Sequence, residues 1–216
     1  VVAWVYRNAN DGANHEIFTM DGPLFATRAG ILVQDTSGTN GNLRAIIRRV
    51  GGTDTDYITS TTPVALNAWT FVAAVFDNAV AAGEKIQLYT GTLSAEAVEA
   101  SYATATDGSG TITADNANDK WVGNIEFANT NEFKGYIARL GYYSTALSLA
   151  QVQALQFAPT RMWNTGAACR LLVDYYSVNH LHDLSGNGNA GTVTGATSAD
   201  HVPLGPAFGI QECRAY

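Results

Sequence analysis

The chain has 216 residues, a length that fits one large β-sandwich or two small domains. Only 14% of the residues are charged and the formal net charge is −7, which argues against nucleic acid as a partner, because phosphate binding needs clustered lysine and arginine. No apolar run reaches the ~18 residues that a membrane-spanning helix needs, so we expect no membrane partner.

Short strand patterns separated by turns run along most of the chain. β-branched and alternating apolar residues predict strands at 1–7, 15–20, 29–35, 42–50, 55–59, 85–90, 97–103, 120–125, 133–143 and 169–176. Residues 69–77 form a continuous apolar run, which is typical of a strand buried on both faces. Many short strands with a turn about every ten residues indicate an all-β, two-sheet antiparallel sandwich.

One short helix is predicted near 148–157. Ser148 is a favourable N-cap residue, and Leu149, Val152 and Leu155 fall on one helical stripe. Pro159 then ends the helix. Farther along, Cys169 and Cys213 could form a disulfide or remain two buried thiols, and the sequence leaves both possibilities open.

Three stretches resemble a known family. They are WTFVA at 69–73 followed by Phe76-Asp77, the run FKGYIARL at 133–140 followed by ALS at 146–148, and the loop DLSGNGNAG at 183–191. Together they resemble laminin-G-like domains of the concanavalin A-like lectin/glucanase superfamily. The resemblance implies a single jelly-roll domain over residues 1–216.

The glycine-rich loop departs from the family's usual order. In that family the loop precedes the strand that here opens the chain at Ala3-Trp4, whereas in this chain it comes last. A sandwich without its first strands would leave an open apolar edge that invites pairing with another chain. We therefore expect residues 169–195 to complete the sandwich, with strands at 169–176 and 190–195.

The carboxylates do not form a recognisable glycosidase pair. Glycoside hydrolases use two carboxyl groups that face the same bond. Glu16 and Asp21 have an odd spacing, which points them to opposite faces of a strand. Asp54 and Asp56 share a face but stand beside glycines, which favours an exposed pair in a turn. We predict that the protein is not an enzyme.

Two kinds of metal site come into question, although we expect no required cofactor. The resemblance implies a calcium site at a sheet edge, for which Asp183, Asn187 and Asn189 are the candidate ligands. The alternative is an Asx-turn in which Asp183 binds its own backbone. His180 and His182, with His201, could hold a transition metal, but surface histidines are the favoured interpretation.

Exposed aromatic rings could form a sugar platform, because their faces stack on the apolar faces of sugars. Trp4, Trp69 and Trp121 lie in apolar strands and are expected in the core. Trp163 follows Pro159 in an irregular polar stretch and is expected to be the exposed tryptophan. Tyr143 and Tyr176 belong to adjacent tyrosine pairs, of which one member must face outward. Trp163, Tyr143 and Tyr176 are the candidate carbohydrate-binding residues.

The runs QFAP at 156–159 and HVPLGP at 201–206 resemble proteins of bacteriophages and environmental viral genomes. We therefore expect a non-catalytic structural or recognition module on a virion surface, as a capsid decoration or fibre protein. Its expected partners are further copies of itself in a homo-oligomer, other virion subunits or cell-surface glycans. The alternatives are an extracellular carbohydrate-binding module of a secreted enzyme or adhesin and, third, a degenerate glycoside hydrolase.

Overall fold

The structure is a computed structural model, and it describes most of the chain. The described ranges are 1–21, 28–35, 41–49, 55–81, 84–110, 119–124, 131–164, 168–175, 182–189 and 191–192. Within them the strands form two six-stranded antiparallel sheets, so the predicted two-sheet sandwich is confirmed.

Each of the two sheets contains strands from both halves of the chain. The first sheet has the order β12-β11-β1-β6-β7-β8, formed by Cys169–Asp174, Gly135–Tyr143, Val2–Arg7, Trp69–Phe76, Ile86–Thr92 and Val98–Glu99. The second has the order β10-β2-β3-β4-β5-β9, formed by Asp119–Val122, Asn14–Asp21, Arg28–Gln34, Asn42–Arg48, Thr55–Pro63 and Tyr102–Thr106.

The main core lies between the two sheets. Alternation along each strand sends every second side chain inward. Val5, Val72 and Leu140 of the first sheet belong to the same fully buried cluster as Phe18 and Ile31 of the second. Fully burying a side chain of this size contributes about 1.5–3 kcal/mol, so this layer supplies much of the folding free energy.

The first sheet is covered on its outer face as well. Helix α1 (Leu149–Phe157) and a short 3-10 helix (Thr160–Trp163) follow β11 and lie over this face. Ser148 caps α1 in a capping box with Gln151, which confirms the predicted N-cap. The buried Val152 and Leu155 pack in a second cluster with Trp4 and Phe71. This double cover explains the continuous apolar run of β6.

The C-terminal strand occupies the edge of the first sheet. β12 pairs antiparallel with β11, which confirms a strand inside the predicted range 169–176. Leu171 and Val173 face the main core, whereas Leu172 faces the outer cluster, as the alternation predicts. The second predicted strand is 190–195. Residues 191–192 are not in a strand, and the other residues of this range lie outside the described part of the chain. Cys213 also lies outside it, so its pairing with Cys169 is not tested. None of the helices in the described ranges is long and apolar enough to span a membrane.

Candidate functional site

The prediction that Trp163 is the exposed tryptophan is wrong. Its side chain has an exposed fraction of 0%, and the ring of Tyr143 is also buried, at 6%. The indole of Trp163 meets Phe71 edge to face at 6.2 Å, and the guanidinium of Arg139 lies 5.1 Å from its ring. The hydroxyl of Tyr143 donates a hydrogen bond to the carbonyl oxygen of Trp163. In this conformation neither ring offers a face to a sugar.

Trp163 and Tyr143 are buried because an extra layer covers the outer face of the first sheet. Tyr143 does point away from the main core, as strand alternation requires, while Tyr142 stacks on Phe18 inside it. The 3-10 helix then folds back over Tyr143 and inserts Trp163 beside it. The third candidate, Tyr176, lies outside the described residues.

A different set of aromatic rings stands at the open end of the same face. Tyr6, Trp69 and Tyr136 occupy three adjacent strands, β1, β6 and β11, and Tyr6 is paired in register with both of the others. The ring centroid of Tyr6 lies 5.4 Å from that of Trp69 and 5.5 Å from that of Tyr136. Trp69 and Tyr136 are 6.5 Å apart with ring planes only 30° from parallel. We call these three residues the aromatic triplet.

The triplet is more accessible than the other rings of this face. Tyr136 is 44% exposed, and Tyr6 and Trp69 are partly exposed, whereas Trp4 and Phe71 in the next row of the sheet are fully buried. Trp69 packs against the outer cluster and is thereby held in place. The expectation that Trp69 is a core residue is therefore correct only in part, while Trp4 is a core residue as predicted.

A glycine brings two rings of the triplet together. Gly135 has a φ of +152° and lies directly opposite Arg7 of β1. A Cβ atom on Gly135 would collide with the carbonyl oxygen of Tyr6, so a larger residue would push β11 away. This glycine belongs to the FKGYI motif, and the tyrosine after it is Tyr136. The FKGYI motif is visible in the sequence and could have pointed to Tyr136. The pairing of Tyr136 with Tyr6 could not be read from the sequence.

The glycine-rich loop uses its polar side chains to bind the edge strand. Asp183 accepts hydrogen bonds from the backbone amides of Leu172, Ser185 and Asn189, at 3.1, 2.9 and 3.1 Å. The side-chain amide of Asn187 donates to the carbonyl oxygens of Cys169 and Arg170. These contacts fit the Asx-turn interpretation, and calcium at Asp183 would have to displace these donors.

The charge of Asp183 fits this role. Burial raises the pKa of its carboxyl group, but the hydrogen bonds from Ser185, Leu172 and Asn189 outweigh burial and hold the pKa below its ordinary value of 3.8. Asp183 is therefore a charged anchor between loop and β12. The sequence also suggested a transition-metal site at His180 and His182, with His201 as a third ligand. His182 is exposed, and the other two histidines lie outside the described residues.

Comparison with known families agrees with this architecture. The model of the Laminin_G_3 family, described as the concanavalin A-like lectin/glucanases superfamily, matches residues 1–153. The chain belongs to this family. The matched range includes all three residues of the aromatic triplet and ends within α1, so β12 and the glycine-rich loop lie beyond it. No curated protein matches the chain.

The structure describes two of the carboxylates considered for catalysis, Glu16 and Asp56, and both are buried in this laminin-G-like domain. Glu16 has an exposed fraction of 0%. Asp56 is equally buried and pairs with Arg49 at 2.6 Å, so the expectation of an exposed turn pair is wrong for this residue. Asp54 and the side chain of Asp21 lie outside the described part of the structure. No two of the described candidates share an open strand face.

Proposed function

We propose that this laminin-G-like domain is a non-catalytic recognition module that binds carbohydrate through the aromatic triplet Tyr6, Trp69 and Tyr136. The observation that supports the proposal is the cross-strand row of three rings, partly open to solvent on a rigid sheet. The superfamily of lectins and glucanases to which the family belongs is consistent with a carbohydrate ligand.

The physical argument rests on the surface that a sugar presents. One face of a pyranose ring carries C–H groups, and these stack on aromatic faces, whereas the hydroxyl groups stay in water. Trp69 and Tyr136 are tilted only 30° from each other, so both can face the same saccharide chain. The rings lie on strands rather than on loops, which limits the conformational entropy lost on binding.

A virion-surface role is a narrower form of the same proposal, supported only by the resemblance of short C-terminal runs to viral proteins. In that form the domain assembles as a homo-oligomer and contacts other virion subunits or cell-surface glycans. The same triplet then offers a subunit contact in place of a sugar platform, because partly exposed aromatic residues also anchor protein interfaces.

A binding experiment tests the proposal directly. The full chain is titrated with cello-, xylo- and manno-oligosaccharides while tryptophan fluorescence and heat are recorded. We expect Trp69→Ala and Tyr136→Ala each to weaken binding up to about tenfold, since an aromatic contact contributes about 0.5–1.5 kcal/mol. Tyr57→Ala is the matched control, because Tyr57 is a partly exposed aromatic residue of the other sheet.

Two outcomes would contradict the sugar platform. Saccharide binding that survives in the double variant Trp69→Ala/Tyr136→Ala would place the ligand elsewhere. A native oligomer that dissociates in this double variant, measured by light scattering, would instead assign the triplet to a subunit contact. Unchanged oligomeric state with lost saccharide binding supports the proposal.

A further inference from the structure

A second cluster of polar residues lies at the end of the sandwich where β1 leads into β2. Asp11 is in the connecting loop, His15 in β2, and Asp35 directly after β3. The Nε2 atom of His15 lies 3.1 Å from Oδ1 of Asp11 and 3.9 Å from Oδ2 of Asp35. One donor atom from each residue lies within 4.8 Å of those of the other two.

The tautomer of His15 follows from its other ring nitrogen. Nδ1 lies 2.9 Å from the backbone carbonyl oxygen of Glu132, which can only accept a hydrogen bond. Nδ1 therefore carries the proton, and in the neutral imidazole the lone pair of Nε2 faces the two carboxylates. A histidine that ligates a metal commonly donates its other N–H to a backbone carbonyl in this way.

Two buried polar atoms of this cluster make no hydrogen bond with the described residues. His15 is 1% exposed and Asp35 is 5% exposed, and neither Nε2 of His15 nor Oδ2 of Asp35 has a hydrogen-bond partner among the described residues. Although Nε2 and the Asp11 oxygen are close, they are not aligned as a hydrogen bond. Buried polar atoms without partners are costly, so a ligand between them would be stabilised.

The donor set indicates which ligand fits. One imidazole nitrogen and two carboxylate oxygens suit zinc and its neighbours among the transition metals, whereas calcium prefers oxygen ligands alone. Ligand bonds of about 2.0–2.2 Å place neighbouring donors about 3–3.5 Å apart. The distance of 3.1 Å from Nε2 of His15 to Oδ1 of Asp11 is already in this range, whereas Oδ2 of Asp35, at 3.9 Å from Nε2, has to move closer.

The charges around the cluster also accommodate a divalent cation. The two carboxylates carry two negative charges, and the guanidinium of Arg7 faces Asp35 at 3.6 Å. Arg7 is also bound by the carbonyl oxygens of Ala9 and Val64, and it approaches the same oxygen of Asp35, Oδ2, that lies 3.9 Å from Nε2 of His15. The two carboxylates of the cluster outnumber this one guanidinium, so the balance of charge still favours a cation. We infer that Asp11, His15 and Asp35 form a binding site for a divalent transition-metal ion such as zinc, with water completing the coordination.

Calorimetry with the metal alone tests the site. The full chain is treated with chelator, dialysed and titrated with zinc chloride, and the melting temperature is measured with and without zinc. We expect one zinc ion per chain and a higher melting temperature, because a ligand of the folded state stabilises it. Asp11→Asn and His15→Gln should each weaken zinc binding at least tenfold. His182→Gln is the control, because it removes an exposed histidine outside the cluster.

The design separates loss of the site from loss of folding. Asp11 lies in an exposed loop, so Asp11→Asn tests the ligand even where His15→Gln unfolds the chain. Visible absorption of the cobalt-loaded protein should report the same loss in Asp11→Asn. The inference is overturned if the native chain takes up no zinc, if it binds calcium in preference, or if both variants bind zinc as the native chain does.

Discussion

Gln156 of α1 and Ala97, in the segment between β7 and β8, are joined by a hydrogen bond of 2.6 Å from the Ala97 amide to the side-chain oxygen of Gln156. The side-chain nitrogen of Gln156 donates to the carbonyl oxygens of Thr92 and Ala95 at 2.7 and 2.8 Å. Gln156 is 1% exposed, and its own carbonyl oxygen accepts from the indole of Trp4. One glutamine thus fastens the helix to the first sheet.

We predict that Gln156→Leu destabilises the fold by about 1–3 kcal/mol, because it leaves the buried backbone amide of Ala97 without this partner and removes the hydrogen bonds to the carbonyl oxygens of Thr92 and Ala95. Urea denaturation should show a lower midpoint with an unchanged slope. The control is Gln153→Leu in the same helix, which removes one bond to the carbonyl oxygen of Ala97. Equal effects of the two substitutions would contradict the fastening role.

We predict that Asp183→Asn lowers stability at neutral pH by about 1 kcal/mol, since it weakens hydrogen bonds to a partly exposed charged group. The folded pKa of Asp183 lies below 3.8, so this contribution is complete above the unfolded pKa and is lost as the pH falls through the folded one. The difference between native chain and variant should therefore shrink in acid. A difference that is constant from neutral pH to pH about 3 would contradict this assignment.

The sequence offered a calcium site at Asp183, Asn187 and Asn189 as the alternative to an Asx-turn, and added calcium chloride distinguishes the two. Because the oxygens of Asp183 already accept hydrogen bonds, we expect the melting temperature of the native chain to be unaffected. A rise in the native chain that is absent in Asp183→Asn would show that calcium displaces these donors.

We predict that β12 is required for folding of the isolated chain. Cutting after Thr165 should expose the apolar edge of β11 and cause unfolding or aggregation. Leu172→Ala is a milder form of the same test and should cost about 2–5 kcal/mol, as for other buried leucines. Its control is Leu184→Ala, because Leu184 is 49% exposed. A truncated chain that keeps its melting temperature and oligomeric state would refute the prediction.

We predict no turnover of β-glucans or alginate, because Glu16 is fully buried and Asp56 is buried in an ion pair with Arg49. Release of reducing ends, or of unsaturated products from alginate, is measured with the native chain and with Glu16→Gln and Asp21→Asn. Turnover that disappears in either variant would establish an active site.

The local pattern of the sequence determined the elements of this protein. Alternation predicted strands that the structure contains, Ser148 and Pro159 predicted the extent of α1, and the apolar run of β6 predicted burial on both faces. The motif around Gly135 predicted the family. These features depend on residues close in sequence, whose spacing sets both secondary structure and the face that each side chain takes.

Only the tertiary structure decided which residues meet. Trp163 stands in a polar stretch of the sequence, but it is the last residue of a 3-10 helix that inserts its ring into the outer cluster, and sequence spacing cannot show what covers an outward face. The aromatic triplet depends on the register of three strands that are far apart in sequence. The cluster of Asp11, His15 and Asp35 likewise requires β2 and β3 to be neighbours. Both candidate sites are therefore products of strand order, which local periodicity does not encode.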